Sequence, residues 1–99
     1  MIDLAEIQKR VLNNKVKKGF NTEDVFMEFC YTYGELSEAC EAYVKKQDVG
    51  EELADVAIYL LGIAEILGIS LEDEILKKVE INEKRRYIEQ NGVLVRVEG

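Results

Sequence analysis

Apolar residues recur at helical spacing along most of this chain, and glycines fall where those runs end. Leu4, Ile7, Val11 and Leu12 form the apolar stripe of a first helix over about 3–17, with Asp3 placed as its N-cap. A second helix, over about 22–46 with Asn21 or Thr22 as its cap, carries Phe26, Phe29, Tyr33 and Leu36, a stripe that reads as packing. A third, over about 49–67, is apolar nearly all round from Leu53 to Ala64, which reads as a buried helix, and Gly68 ends it. Ser70 caps a fourth over about 70–87, with Asp73 three positions on as an imperfect capping box. In the tail, 88–99, the Asn91-Gly92 turn precedes a short strand-like run, so a hairpin or an extended tail is expected.

Four helices with short connections predict one all-α domain over 1–99, a four-helix bundle. A 99-residue chain buries too small a share of its surface to be generously stable alone, so the bundle is expected to be completed by oligomerisation, at least as a homodimer. Gly62 and Ala57 read as places where helices approach closely.

Composition narrows the partners. Twenty acidic residues against thirteen basic ones give a net charge of -7, which disfavours nucleic acid, whose affinity comes largely from neutralised phosphates. A small phosphorylated ligand would need a bound cation or a few well-placed Lys and Arg side chains. The chain has no histidine, and Cys30 and Cys40 lie ten residues apart on one helix, roughly 15 Å by the helical rise, too far to bridge each other. The residues from Met1 to Glu6 lack the character of a signal peptide, and Glu65 interrupts the longest apolar stretch. A reduced, cytoplasmic protein with no membrane segment is expected.

Candidate chemistry concentrates on carboxylates. Asp55 sits inside the apolar third helix, where an ionised carboxylate costs several kcal/mol unless a cation or strong donors compensate it. At about 100° per residue, Glu52, Asp55 and Tyr59 share one stripe. Glu35 and Glu38, three apart, share a face of the second helix that also carries Glu28. Two such pairs on adjacent helices make a four-carboxylate cluster, and oxygen-only ligands suit Mg²⁺ or Mn²⁺ rather than zinc. The plainer alternatives are a solvated acidic face for Glu35, Glu38 and Glu41, an ion pair between Asp55 and a cation of the fourth helix, and a core role for Tyr59. Lys78, Asn82 and Arg85 lie on one side of the fourth helix, spaced to face the cluster or a ligand's phosphates, although solubility explains them about as well.

Taken together, Tyr33-Gly34-Glu35-Leu36-Ser37-Glu38-Ala39, Gly50 to Leu61 with Glu52 and Asp55, and Lys77 to Arg85 resemble the MazG-like all-α pyrophosphohydrolases over about residues 20–90. The resemblance implies a helical bundle assembled as a dimer or a dimer of dimers, with Mg²⁺ on Glu35, Glu38, Glu52 and Asp55 bridging to a nucleoside triphosphate. It also implies that Lys78 and Asn82 contact phosphate, sugar or metal, with Tyr59 close to the nucleotide. The sequence departs from the family at Thr32, where many relatives carry a glutamate. Either Glu35 and Glu38 serve as the first pair, or Glu28 swings in, or the site is weakened; the first is favoured.

The implied reaction is hydrolysis between the α- and β-phosphates to a monophosphate and pyrophosphate, a housecleaning or pool-control activity. Glu38 is the candidate general base, and Lys78 and Arg85 the candidates for offsetting phosphate charge. The alternative is a non-catalytic module that binds nucleotide or protein and has lost a ligand at Thr32; a purely structural helical dimer is a third reading.

Overall fold

A computed structural model describes residues 1–98 as four helices and a hairpin: α1 (Leu4–Lys18), α2 (Val25–Val44), α3 (Val49–Leu67), α4 (Leu71–Lys84), β1 (Arg86–Gln90) and β2 (Val93–Val97). Each helix opens on a side chain that accepts from a free N–H of its first turn: Asp3 from Glu6, Asp24 from Met27, Asp48 from Glu51 and Ser70 from Asp73. α2 therefore starts later than its sequence suggests. Asn21 is engaged in a turn, its amide hydrogen-bonding both the backbone N–H and the carbonyl of Asp24, so that Asp24 and not Asn21 or Thr22 becomes the cap. α3 ends at Gly68, whose left-handed φ of 71° lets its N–H close back on the Ala64 and Glu65 carbonyls.

α4 stops at Lys84, three residues earlier than expected, because Arg85 turns extended and Arg86 enters a strand. The antiparallel hairpin pairs Arg86 with Val97 and Gln90 with Val93. Asn91 and Gly92, with φ of 53° and 78°, form the tight turn that both positive angles define.

α3 is the shared partner: α1 and α2 each pack along it, and they meet at an ion pair between Lys15 and Glu28. The core is small: its buried apolar residues are Ala39 and Ala42 of α2 and Leu61, Ile63 and Ala64 of α3. Gly62 makes the α1–α3 contact possible, since a Cβ there would lie 3.3 Å from Val11 Cγ1. Gln8, buried at 4% exposure, fixes the α3–α4 corner: its amide donates to Glu65 and to the Ile69 carbonyl and accepts from the Leu71 N–H.

Two packing expectations fail within the chain. The stripe Phe26, Phe29, Tyr33 and Leu36 is exposed, because α2 buries the face that carries Glu28, Ala39 and Ala42 and turns this stripe away. α3 is buried only from Leu61 to Ala64; Leu53, Ala57, Ile58 and Leu60 are exposed, so Ala57 is not a site of close approach. α4 packs on α1 and has no buried residue. The radius of gyration is 17.1 Å, against about 13 Å for a compact chain of this length. Among the described residues no single helix is long and apolar enough to cross a membrane; α3 and α4 are so only as a pair bent by 110°.

Candidate metal centre

The α2–α3 contact sets two acidic faces opposite each other. Glu35 comes from the middle of α2, and Glu52 and Asp55 come from consecutive turns of α3. One carboxylate oxygen from each lies within 4.8 Å of the others, and all three residues are half-buried. Glu38 is exposed one turn beyond Glu35 and stands outside this group of three, close enough to act on both Glu35 and Glu52.

The electrostatics of the group are one-sided. Burial pushes the Glu35 carboxyl above its ordinary range, and Glu38, Asp55 and Glu52 push it further. Glu52 is raised by desolvation first and then by Glu38, Asp55, Glu51 and Asp48. No cation appears among the neighbours that shift either group, and among the described residues no ion pair joins Asp55 to α4. Like charges gathered without a counter-charge repel, which a hard cation relieves and which oxygen ligands suit.

Glu28, weighed as a ligand that could swing in, is held elsewhere. It is 1% exposed, its Oε1 paired with Lys15 and its Oε2 accepting from the Asn21 amide at 3.0 Å. Thr32 turns its hydroxyl back to donate to the Glu28 carbonyl at 2.8 Å, an internal helix bond rather than a ligand position. Tyr59 lies between these two regions. Its ring meets Tyr31 edge-on at 6.3 Å, and the Lys15 ammonium stands 5.3 Å from its centroid. Burial raises its phenol first, followed by the charges of Glu35 and Glu28.

α4 does not complete the centre within one chain. It packs on α1 rather than on the α2–α3 pair, Lys78 and Asn82 are exposed, and the Asn82 oxygen accepts from Arg85 at 3.1 Å. Arg85 is the C-cap rather than part of the helical face.

The sequence profile of the MazG-like family matches residues 27–94, more than half of the chain. The chain belongs to the MazG-like family. No individual curated protein and no solved structure matches it. All three converging carboxylates lie inside the matched part of this MazG-like chain, whereas α1, with Gln8 and Lys15, lies before it. Neither of those α1 residues was singled out from the sequence. Their partners are 13 or more residues away, and Lys15 is one of several lysines at a helix end, the usual place for solvated cations.

Proposed function

We propose that this MazG-like protein is a Mg²⁺-dependent nucleoside triphosphate pyrophosphohydrolase that releases a monophosphate and pyrophosphate. The observation that carries the reading is the convergence of Glu35, Glu52 and Asp55 without a compensating cation, inside the segment that matches the family. Those three residues, with Glu38 at the edge, would hold the metal. Bound there, Mg²⁺ or Mn²⁺ would supply charge neutralisation for a triphosphate and a lowered barrier to deprotonating water. Glu38, outside the tight group of three and beside Glu35, would accept the proton from the attacking water. Tyr59, one turn from Asp55, orders the wall beside the substrate.

The apolar exposure of α2, α3 and α4 supports a homodimer or a dimer of dimers as the working form, because patches of this kind mark association surfaces. In that assembly Lys78, Asn82 and Arg85, remote from the cluster of their own chain, serve a neighbouring copy's triphosphate. A cytoplasmic housecleaning role fits a reduced-thiol, acidic protein that acts on free nucleotides.

Pyrophosphate release from a panel of nucleoside triphosphates, with Mg²⁺ or with EDTA, tests the reaction. Metal-dependent release that Asp55→Asn abolishes in a folded protein supports it, and an active Asp55→Asn variant would sink the assignment. One observation favours a second reading, a non-catalytic nucleotide- or protein-binding module: the Thr32 hydroxyl is spent inside its own helix and leaves one fewer acidic group. Silence across the panel, with no response to Thr32→Glu, would favour that module.

A further inference from the structure

Between α1 and α3, outside the carboxylate group, lies an open cavity of about 700 Å³. Ile7, Val11, Phe20 and Ile58 give it apolar and aromatic walls, and the exposed Asn13 and Asn14 amides line its rim. Its least exposed polar groups are Lys15, with 12% of its side chain exposed, and Glu28 with 1%. A smaller space of about 200 Å³ adjoins it, sharing Lys15, Phe20, Glu28 and Tyr59. Apolar and aromatic inner walls with a few fixed polar groups suit a planar heterocycle, while the cations Arg10 and Lys17 stand at the exposed rim. Tyr59 lines this cavity one turn along α3 from Asp55, so an occupant here would sit beside the carboxylates.

The hydrogen-bonding capacity of the floor is directional. Both Glu28 oxygens already accept, one from Lys15 and one from Asn21, and almost none of that side chain is exposed. The Lys15 ammonium has three N–H groups and its hydrogen bond in the structure is to Glu28, which leaves donors beside the Tyr59 ring. A buried donor accepts a carbonyl oxygen as partner and is left unpaired by an amine.

We propose that this cavity takes the nucleobase of the triphosphate and that Lys15 reads its far edge, favouring bases with a carbonyl there (uracil, hypoxanthine) over their amino counterparts (cytosine, adenine). The proposal rests on the hydrolase reading for its substrate. Its selecting wall, α1, lies outside the residues that match the family, so it concerns this chain.

The test compares isosteric pairs on the intact protein with Mg²⁺: dUTP with dCTP, and dITP with dATP. The expected kcat/KM ratio is at least about tenfold toward the carbonyl member of each pair, the scale of one charge-assisted hydrogen bond. The paired change Lys15→Met with Glu28→Met, which leaves no lone buried charge, should erase the ratio by lowering kcat/KM for the carbonyl member of each pair to that of the amino member. Phe20→Leu should raise KM for all four with little change in kcat. Equal turnover within both pairs would overturn the cavity assignment and leave the hydrolase reading standing. Should no triphosphate be turned over, uridine and cytidine titrated in EDTA against amide resonances separate the two ideas. Shifts along α1 that are stronger with uridine support the cavity, and none from either nucleoside overturns it.

Discussion

Lys15→Met tests the most consequential buried interaction in the molecule. The Lys15 cation and the Glu28 carboxylate are 12% and 1% exposed, and they join the end of α1 to the start of α2. Removing the cation leaves Glu28 with Asn21 as its one recorded side-chain donor. Breaking a buried pair in this way costs about 3–5 kcal/mol, because one charge stays out of water without its partner. In a domain of this size each kcal/mol moves the melting temperature by about 4–8 °C, so the midpoint should fall by at least about 12 °C. Urea denaturation followed by circular dichroism, at fixed protein concentration because association would shift the midpoint, gives the number. Lys15→Met with Glu28→Met should recover most of the loss, since paired replacement by apolar groups of similar size is often neutral. The coupling between the two sites then comes from a double-mutant cycle. A loss below about 1 kcal/mol for Lys15→Met, the scale of an exposed pair, would refute the reasoning. It would mean that water reaches Glu28, and would restore that residue as a candidate ligand.

Other outcomes follow from the same geometry. Glu35 and Glu52 are raised above the ordinary carboxyl value of 4.5, so the metal-free native state binds more protons than the unfolded chain just above that pH. The contribution of these groups is greatest below it and is lost as pH rises through their folded values; the stabilisation by Mg²⁺ seen in a melting curve should therefore grow from pH 5 to 7.5, and a flat response would argue against metal at these carboxylates. Thr32→Glu, which gives up a bond to the Glu28 carbonyl, should tighten Mg²⁺ binding by about tenfold in a calorimetric titration if a site exists. Gly62→Val should destabilise by about 1–3 kcal/mol in urea, because a Cβ already comes within 3.3 Å of Val11 and a branched side chain must push α1 away. Leu76→Lys with Val79→Lys, on the exposed face of α4, should convert an oligomer to monomer by light scattering; unchanged mass would exclude that face from the interface.

The elements were legible where local chemistry decides them. Asp3 and Ser70 as caps, Gly68 as a helix end and Asn91-Gly92 as a turn all act within a few residues, and the structure has each of them. The i, i+3 spacing on one helix also anticipates that Glu52 and Asp55 point together, and the family pattern anticipates that Glu35 joins them. The misjudged boundaries lay where two local options compete. Asp24 displaced Asn21 as a cap, and Arg86 and Tyr87 left α4 because their cross-strand partners, Val97 and Arg96, lie ten residues away.

By itself, then, the sequence determined helix starts, turns and the acidic stripes, since helical periodicity places residues three and four apart on one face whatever surrounds them. Only the tertiary structure decided which faces are covered and which ionisable groups neutralise each other. Sequence spacing could not separate Glu28 from Glu35, two glutamates on one face of α2. Packing brings Lys15 and Asn21 to the first and Glu52 and Asp55 to the second. Burial and charge pairing depend on what lies across the contact, and that neighbour comes from a distant part of the chain.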